Sequence, residues 1–395
     1  MVWFKRMHST HQISGHQLGL MKNGTEFFPQ LCADIDAAQH SVYLETYIYA
    51  ADKAGRIVSD ALQRAAARGV EVRLLLDGYG SAELPKQWVD DLRKADVRVG
   101  WFRREISPFT LRRNRRRRLR RMHRKMAVVD GEVGYIGGIN IINDIPAHAN
   151  LSEPQLDYAV RINGPLALEI QAVMRHLWSV VFWASFRRRD RELKWLFRSM
   201  QKPSDVADIK IILRDNVRHR RDIEREYLHV IQTARREIII ANAYFLPGKI
   251  FRQALMDSAK RGVRVMLLLQ GQVEFWIQHY ATHALYEELL GADIEIYEYQ
   301  ASYLHAKVAV VDGVWATVGS SNIDPFSLLL AREANLAVRH AGFSNELRES
   351  LLAVIENKAR RVYPASGKYL TKLMSRFSYS LIRFLVGVAG ISWWK

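Results

Sequence analysis

An internal repeat constrains the fold of this 395-residue chain more than any other feature of its sequence. The segment AGRIVSDALQRAAARGVEVRLLLDG (54–78) has a counterpart in PGKIFRQALMDSAKRGVRVMLLLQG (247–271). Each segment begins with apolar residues at helical spacing and ends in a continuous apolar run, which predicts a helix followed by a buried strand. Another apolar run precedes each helix, at 41–49 and 237–245. Strand, helix and strand in this order predict a parallel pair with a right-handed crossover.

A second pair of similar segments follows the first pair in both halves. MHRKMAVVDGEVGYIGGIN covers 122–140, and LHAKVAVVDGVWATVGSSN covers 304–322. Each predicts two short strands that join at Asp-Gly, a strong hairpin signal. The sequence therefore predicts an α/β protein of two similar lobes, each a mixed sheet flanked by helices, over 1–200 and 201–363. The polar stretch 201–207 marks the divide, and 364–395 forms a separate amphipathic segment.

Both predicted hairpins carry the same polar residues at the same spacing. The pattern is His-x-Lys, four residues, Asp, and then a small-residue stretch that ends in Asn. The residues are His123, Lys125, Asp130 and Asn140 in the first half, and His305, Lys307, Asp312, Ser320 and Asn322 in the second. Residues i and i+2 of a strand share a face, so each His and Lys point together. Lysines neutralise phosphate oxygens, and a histidine can attack phosphorus or move a proton.

A single His-x-Lys usually marks a solvated strand, but two copies at matched repeat positions favour a catalytic site. A zinc site is a poor alternative, because the lysines would repel a cation and no cysteine or third ligand lies nearby. The single cysteine, Cys32, allows no intrachain disulfide. We also expect no signal peptide and no membrane-spanning helix, because no run of 18 or more apolar residues occurs.

The chain is strongly basic, with a formal net charge of +17. Eight arginines and no acidic residue fall between Arg112 and Arg121. Basic surfaces attract polyanions, which leaves two classes of partner open: nucleic acid and an anionic membrane surface. Charge alone does not choose between them.

The doubled motif resembles the signature of the phospholipase D superfamily, His-x-Lys-x4-Asp followed by Gly-Ser-x-Asn. The resemblance extends from about residue 22 to residue 360. Within the superfamily, the chain is most similar to bacterial cardiolipin synthases. The segments that carry this similarity are NGTE (23–26) with LETYIY (44–49), LLLDGYGS (74–81), RMHRK (121–125), NAYFLPG (242–248) and ATVGSSNIDPFSL (316–328). The first motif departs from the pattern in having Gly138 where Ser is usual, and the second motif retains Ser320.

The resemblance implies two lobes that face each other across a pseudo-twofold cleft and a mechanism with a covalent phosphatidyl-histidine. By analogy His123 is the nucleophile and His305 the acid and base, although the sequence itself does not distinguish them. Each histidine would be oriented by a carboxylate of the opposite lobe, which pairs Glu333 with His123 and Asp157 with His305. The lysines, Asn140, Ser320 and Asn322 would bind the substrate phosphate. Asp130 and Asp312 belong to the catalytic motif, but we expect them to hold the hairpins. No metal or cofactor is implied.

Three segments bear on the substrate: the basic run 111–125, the aromatic and basic helix end 181–198, and the C-terminal stretch 372–395. Aromatic residues beside Lys and Arg suit a membrane interface. Each segment also has an ordinary alternative, as a core or dimer contact, a solvated loop or a DNA-binding surface. Together with the resemblance, they predict a peripheral enzyme on the cytoplasmic face of the cytoplasmic membrane. Its partners would be anionic phospholipids, phosphatidylglycerol and cardiolipin, and not nucleic acid.

The leading functional hypothesis is a phosphatidyltransferase that joins two phosphatidylglycerols to give cardiolipin and glycerol. A hydrolase of the same superfamily, either a phospholipase D or a nuclease, is the alternative within this class. A lipid-binding or nucleic-acid-binding protein without catalysis belongs to a different class, and the intact pairs of His, Lys and Asn argue against it. The sequence leaves open the acceptor (phosphatidylglycerol, phosphatidylethanolamine or glycerol) and the oligomeric state.

Overall fold

The structure, a computed structural model, describes residues 9–103, 121–145, 151, 153–184, 208–215, 219–273, 276–329, 331–364, 377–378 and 380–381. The strands are β1 Thr10–Ile13, β2 His16–Lys22, β3 Ser41–Thr46, β4 Glu71–Asp77, β5 Arg98–Phe102, β6 Lys125–Val129, β7 Val133–Gly137, β8 Tyr158–Asn163, β9 Ile209–Arg214, β10 Glu237–Asn242, β11 Arg264–Gln270, β12 Glu295–Tyr299, β13 Lys307–Val311, β14 Trp315–Gly319, β15 Glu333–Arg339 and β16 Ala359–Val362. The helices are α1 Asn23–Ala37, α2 Lys53–Ala67, α3 Lys86–Lys94, α4 Leu166–Ala184, α5 Asp222–Thr233, α6 Lys249–Lys260, α7 Trp276–His283, α8 Tyr286–Leu290, α9 Pro325–Leu329 and α10 Ala341–Lys358.

The two halves form two mixed sheets with the same internal strand order. The first sheet runs β1-β2-β8-β7-β6-β3-β4-β5, and the second runs β9-β15-β14-β13-β10-β11-β12-β16. Strands β2 to β8 therefore correspond in order to β9 to β15, and each sheet adds one strand at an edge. The pairs β3–β4 and β10–β11 are parallel, as the repeat predicted. The predicted α/β fold of two similar lobes is confirmed.

Both predicted hairpins are present and turn at Asp-Gly. Strand β6 pairs with β7, and β13 pairs with β14, both antiparallel. Asp130 and Asp312 adopt positive φ angles of 53° and 54°, and the following Gly131 and Gly313 have φ of 72° and 68°. Two successive residues with positive φ are typical of the tight turn that Asp-Gly favours.

The strands predicted at 41–49 and 237–245 are too long at their carboxyl ends. Strand β3 ends at Thr46 and β10 ends at Asn242. Beyond these points the chain leaves the sheet and touches the segment after the hairpin, through single parallel bridges between Tyr49 and Ile141 and between Phe245 and Ile323. The residues that follow each strand are thereby directed toward the hairpin that carries the motif.

The two sheets face each other across one shared apolar core. Its central side chains include Ile136 and Val160 of the first sheet and Val318 and Leu336 of the second, all at most 1% exposed. Helices α4 and α10 complete this core at its sides. Helices α1 to α3 cover the outer face of the first sheet, and α5, α6 and α8 cover that of the second. Burial of apolar surface between the sheets therefore fixes the lobes against each other.

Several sequence predictions fall on residues that the structure does not describe. They are the divide at 201–207, the part of the basic run from 111 to 120, the end of the aromatic segment from 185 to 198, and the C-terminal stretch apart from 377–378 and 380–381. The domain boundaries and the roles of these segments stay predictions. Among the residues described, no helix combines the length and the apolar character needed to cross a bilayer.

Candidate active site between the lobes

Each motif histidine is bound through its backbone to the opposite lobe. His123 N donates to Arg332 O at 2.9 Å, and His305 N donates to Leu156 O at 2.8 Å. The segments form reciprocal parallel bridges at these points. Arg332 and Leu156 immediately precede the two acidic residues Glu333 and Asp157 in the sequence. The lobe contact therefore brings a carboxylate from one lobe to the histidine of the other.

The two carboxylates meet the Nδ1 atoms of the histidines. Glu333 lies 3.1 Å from His123 Nδ1, and Asp157 lies 2.6 Å from His305 Nδ1. Both carboxylate side chains are almost completely buried, at 0% and 1% exposed. A carboxylate at Nδ1 keeps the proton on that nitrogen and leaves Nε2 to react, and it stabilises the imidazolium when one forms. The cross-lobe pairs are those that the resemblance implied.

The departure at Gly138 has a steric explanation. A Cβ atom at Gly138 would lie 2.2 Å from Asp157 Oδ1, so a side chain at this position and the observed Asp157 conformation exclude each other. In the second lobe, the matching Ser320 donates from Oγ to Glu333 Oε2 at 2.6 Å. The longer side chain of Glu333 reaches past the serine to His123. The first lobe therefore combines a glycine at residue 138 with the shorter acid Asp157, and the second lobe combines Ser320 with the longer acid Glu333.

The two motif lysines are buried beside the histidines. Lys125 Nζ donates to His123 O at 2.7 Å, and Lys307 Nζ donates to His305 O. Burial lowers the pKa of Lys125 to about 7; Glu333 opposes this shift, and the nearby Lys307 adds to it. Two buried ammonium groups that destabilise each other form a site that an anion such as a phosphodiester would stabilise.

Both histidines have pKa values below the usual value for imidazole. Burial lowers the pKa of His305 to about 4, Lys307 lowers it further, and Asp157 opposes the shift. Burial likewise lowers the pKa of His123, and Glu333 opposes it. Near neutral pH the imidazoles are therefore uncharged in the unliganded site, as a nucleophile must be. A bound phosphate anion would raise both values, because it stabilises the imidazolium.

The asparagines and the motif aspartates lie at opposite ends of the hairpins. Asn140 and Asn322 are 3% and 4% exposed and follow the ends of β7 and β14, beside the strand starts that carry the lysines. The carboxylate of Asp130 accepts hydrogen bonds from the backbone of Gln39, His40 and Ser41, and Asp312 accepts them from the backbone of 235–237. Each Asp lies five residues from its lysine along a strand, roughly 16 Å away. These aspartates tie the hairpin turns to the sheet.

Two further residues position the histidine segments, and the sequence analysis did not assign them. Met122 N donates to Asp77 Oδ2 at 2.8 Å, and Leu304 N donates to Gln270 Oε1 at 2.9 Å. Asp77 and Gln270 are the last residues of β4 and β11. The sequence did contain a feature that could have indicated them, because Asp77 and Gln270 occupy the same position in the matched repeat segments LLLDG and LLLQG. A hydrogen-bonding side chain at the strand end holds the backbone one residue before each histidine.

The pKa of Lys125 leads to a prediction about pH. Because His305 acts as an acid in its protonated form, we expect kcat/KM for an anionic lipid to fall as pH rises above about 4, and to fall more steeply above about 7, where Lys125 loses its charge. Lys125→Arg keeps the charge and should move the start of this steeper alkaline limb upward by more than about one pH unit. Short-chain lipid below its micelle concentration avoids the local pH shift at a charged vesicle surface.

Lys249→Arg is the matched control, because Lys249 is exposed on the second lobe. It should leave the pH profile unchanged. An alkaline limb at the same pH in Lys125→Arg and in the unmodified protein would show that Lys125 does not set it.

Comparison with solved structures shows which other proteins share this fold. A phosphatidylserine synthase from Haemophilus influenzae has the same fold, with a TM-score of 0.69 at 12% identity over 96% of this chain and 95% of that chain. A polyphosphate kinase from Porphyromonas gingivalis matches 94% of this chain and 53% of its own, with a TM-score of 0.57 at 12% identity. Both comparisons show the fold, and the doubled His-x-Lys motif lies at its lobe contact.

Sequence comparison then gives the family. The family model for "Cardiolipin synthase, PLD-like domain" matches residues 31–178 and 227–355. Cardiolipin synthase B of Escherichia coli K12 and that of Salmonella typhimurium LT2 are each 38% identical to this chain, over 88% of it and 82% of their own length. A cardiolipin synthase of Geobacillus thermodenitrificans is 29% identical over 88% of this chain and 68% of its own. The chain belongs to the cardiolipin synthase family of phospholipase D-like proteins, and the resemblance seen in the sequence is confirmed.

Proposed function

We propose that this protein joins two phosphatidylglycerol molecules into cardiolipin and releases glycerol. The observation that carries the proposal is the pair of histidines, each held at Nδ1 by a buried carboxylate of the opposite lobe. Two such dyads beside two buried lysines provide a nucleophile, an acid–base group and a binding site for one phosphodiester. The names of the relatives supply the lipid class.

The reaction proceeds in two displacements at one phosphorus atom. His123 Nε2 attacks phosphorus, the bond from phosphorus to the glycerol oxygen breaks, and His305 donates its proton to that oxygen. Glycerol leaves, and the phosphatidyl group stays bound to His123. The free hydroxyl of a second phosphatidylglycerol then attacks phosphorus and gives its proton to His305, and the bond to His123 breaks. The protein ends the cycle in its starting protonation state.

The negative charge of the substrate phosphate raises the pKa of His305, which is otherwise too low for this residue to act as an acid. In the unliganded site His305 is neutral at neutral pH, whereas the first displacement needs a proton on it. A phosphodiester between the lysines raises that pKa, because an anion favours the imidazolium. Asp157 already lies at Nδ1 to stabilise the charged ring. Substrate binding therefore favours the protonated form of His305, which is the form that acts as the acid.

We place the reaction at a membrane surface, because both substrates are phospholipids. The basic and aromatic segments 111–125, 181–198 and 372–395 support this placement, since such sequences suit anionic head groups and the interface. Attachment without a spanning helix, on the cytoplasmic face, is part of the proposal.

The product distribution tests this function. Purified full-length protein is incubated with phosphatidylglycerol vesicles, and products are identified by mass spectrometry. We expect cardiolipin and glycerol in equal amounts, and neither from the His123→Ala variant. Phosphatidic acid as the main product, or faster cleavage of DNA than of lipid, would move the assignment to a hydrolase or a nuclease.

A further inference from the structure

The two carboxylates that orient the histidines are held to their own sheets in different ways. In the second lobe the ladder between β9 and β15 continues through the pair Arg214 and Glu333, so Glu333 is part of a strand. In the first lobe the ladder between β2 and β8 stops at Lys22 and Tyr158, one residue short of Asp157. The backbone of Asp157 therefore lacks the strand partner that Glu333 has.

A single residue, Asn23, replaces that partner. Asp157 N donates to Asn23 Oδ1 at 3.1 Å, and Asn23 N donates to Asp157 O at 2.9 Å. The chain turns from β2 into helix α1 at this residue, with a positive φ of 62°, a conformation in which asparagine is more common than most residues. Its side-chain oxygen thus accepts the hydrogen bond that a backbone carbonyl would accept in a continued ladder.

Asp144 holds the start of α1 in place. Its carboxylate accepts hydrogen bonds from the backbone N–H groups of 24–25, at 3.0 and 3.1 Å. These groups lie in the first turn of the helix, where N–H groups have no partner within the helix itself. Asp144 O also accepts from Gln155 N at 2.9 Å. The segment that follows the first hairpin is therefore bonded close to both partners of the contact between Asn23 and Asp157.

A short series of contacts connects Asn23 to His305. Leu156, the residue before Asp157, is bonded to the opposite lobe, because its N donates to Tyr303 O and its O accepts from His305 N. Asp157 Oδ2 lies 2.6 Å from His305 Nδ1, and Asp157 is 1% exposed. Without the Asn23 side chain, the N–H of Asp157 would be a buried donor that has lost its acceptor, which is unfavourable. The backbone of Asp157 would then shift, and its carboxylate would shift with it.

We infer that Asn23 is a positioning residue whose side chain fixes the Asp157 carboxylate and thereby the orientation of His305. The inference rests on the proposed function, in which His305 is the acid that protonates the leaving glycerol. Asn23 acts only through Asp157, so its effect is limited to steps that need a proton from His305. Attack by His123 does not depend on it, because Glu333 orients that ring from the second lobe.

Two substrates with different leaving groups test this role. Full-length protein and its Asn23→Gly variant are given phosphatidylglycerol, whose glycerol needs a proton to leave, and phosphatidyl-p-nitrophenol, whose nitrophenolate does not. Glycine keeps the positive φ and removes the acceptor oxygen. Glycerol release should fall at least about tenfold, because small displacements of catalytic groups are costly. The nitrophenolate burst should stay within about twofold of the unmodified protein, because it needs only the nucleophile.

The hydrogen bond between His305 and Asp157 gives a second readout, which needs no substrate. In protein labelled at histidine nitrogen, the NMR signal of the His305 Nδ1 proton is assigned by its loss in His305→Ala. This signal should move in Asn23→Gly, because the carboxylate that accepts the proton has shifted. The corresponding signal of His123 should stay where it is. A variant that was only less stable would show both signals unchanged in its folded fraction.

Asn163→Gly makes the same substitution at an exposed residue, at the other end of β8. It should match the unmodified protein in both assays. If Asn23→Gly does not fold, Asn23→Ser carries the test, because its hydroxyl oxygen is one bond closer to the backbone and too far from Asp157 N.

Unchanged glycerol release in a folded variant of Asn23, or an equal loss with both substrates, would overturn the inference. Absence of cardiolipin from the unmodified protein would instead refute the proposed function. The NMR signal of His305 would in that case still decide whether Asn23 positions Asp157.

Discussion

His123→Ala and His305→Ala are each expected to lower turnover by at least on the order of 10²-fold, since each removes a nucleophile or an acid–base group. The double variant should be little worse than either single variant, because the two residues act in one catalytic unit. His229→Ala is the control, since His229 is exposed on α5. Formation of cardiolipin from phosphatidylglycerol measures the effect.

A substrate with an activated leaving group separates the two roles. Release of p-nitrophenolate from phosphatidyl-p-nitrophenol needs no proton, so His305→Ala should still give a burst of about one equivalent and a trapped phosphohistidine. His123→Ala should give no burst. The reverse pattern would exchange the two assignments, and near-normal turnover in either alanine variant would refute the two-histidine mechanism.

Gly138→Ser is expected to lower turnover by on the order of 10²-fold, because its Cβ would displace the carboxylate that orients His305, and small misplacements of catalytic groups have effects of that size. Adding Asp157→Glu should restore most of the activity, to within about tenfold of the starting protein. The double variant transplants the Ser320–Glu333 arrangement of the second lobe into the first. Rescue by a second substitution would show that Gly138→Ser acts by displacing the carboxylate that orients His305. A variant that was only destabilised in general would not be rescued in this way.

Gly19→Ser provides the matched control for this series. It adds the same atoms to a strand of the first lobe at a position where a Cβ meets nothing within 4 Å. Turnover and thermal melting are measured for all four proteins. Normal turnover in Gly138→Ser, or a double variant as impaired as Gly138→Ser, would contradict the proposed coupling between residues 138 and 157.

The Tyr47 ring lies beside His123, whereas the matching residue of the second lobe is Ala243, so the two halves carry different side chains on a common frame. The repeat supplies two histidines, two lysines and two asparagines in matched positions. Departures from the repeat at residues 47 and 243, and at 138 and 320, distinguish one side from the other. We therefore expect any difference in function between the two halves to arise where their side chains differ in size.

The sequence by itself determined the two-lobe α/β fold, the parallel crossovers and the Asp-Gly hairpins, because helical and strand periodicities and turn chemistry are local properties that the repeat displays twice. It also predicted the histidines and lysines as a set, since residues two apart on a strand share a face.

Only the tertiary structure decided what depends on contacts between distant segments. Glu333 lies 210 residues from His123, and no local pattern places it at Nδ1. The hydrogen bonds of Asp77 and Gln270 and the clash that requires glycine at residue 138 likewise join segments that are apart in the sequence and meet only when each lobe folds. The lowered pKa values of His305 and Lys125 follow from burial, which packing alone produces.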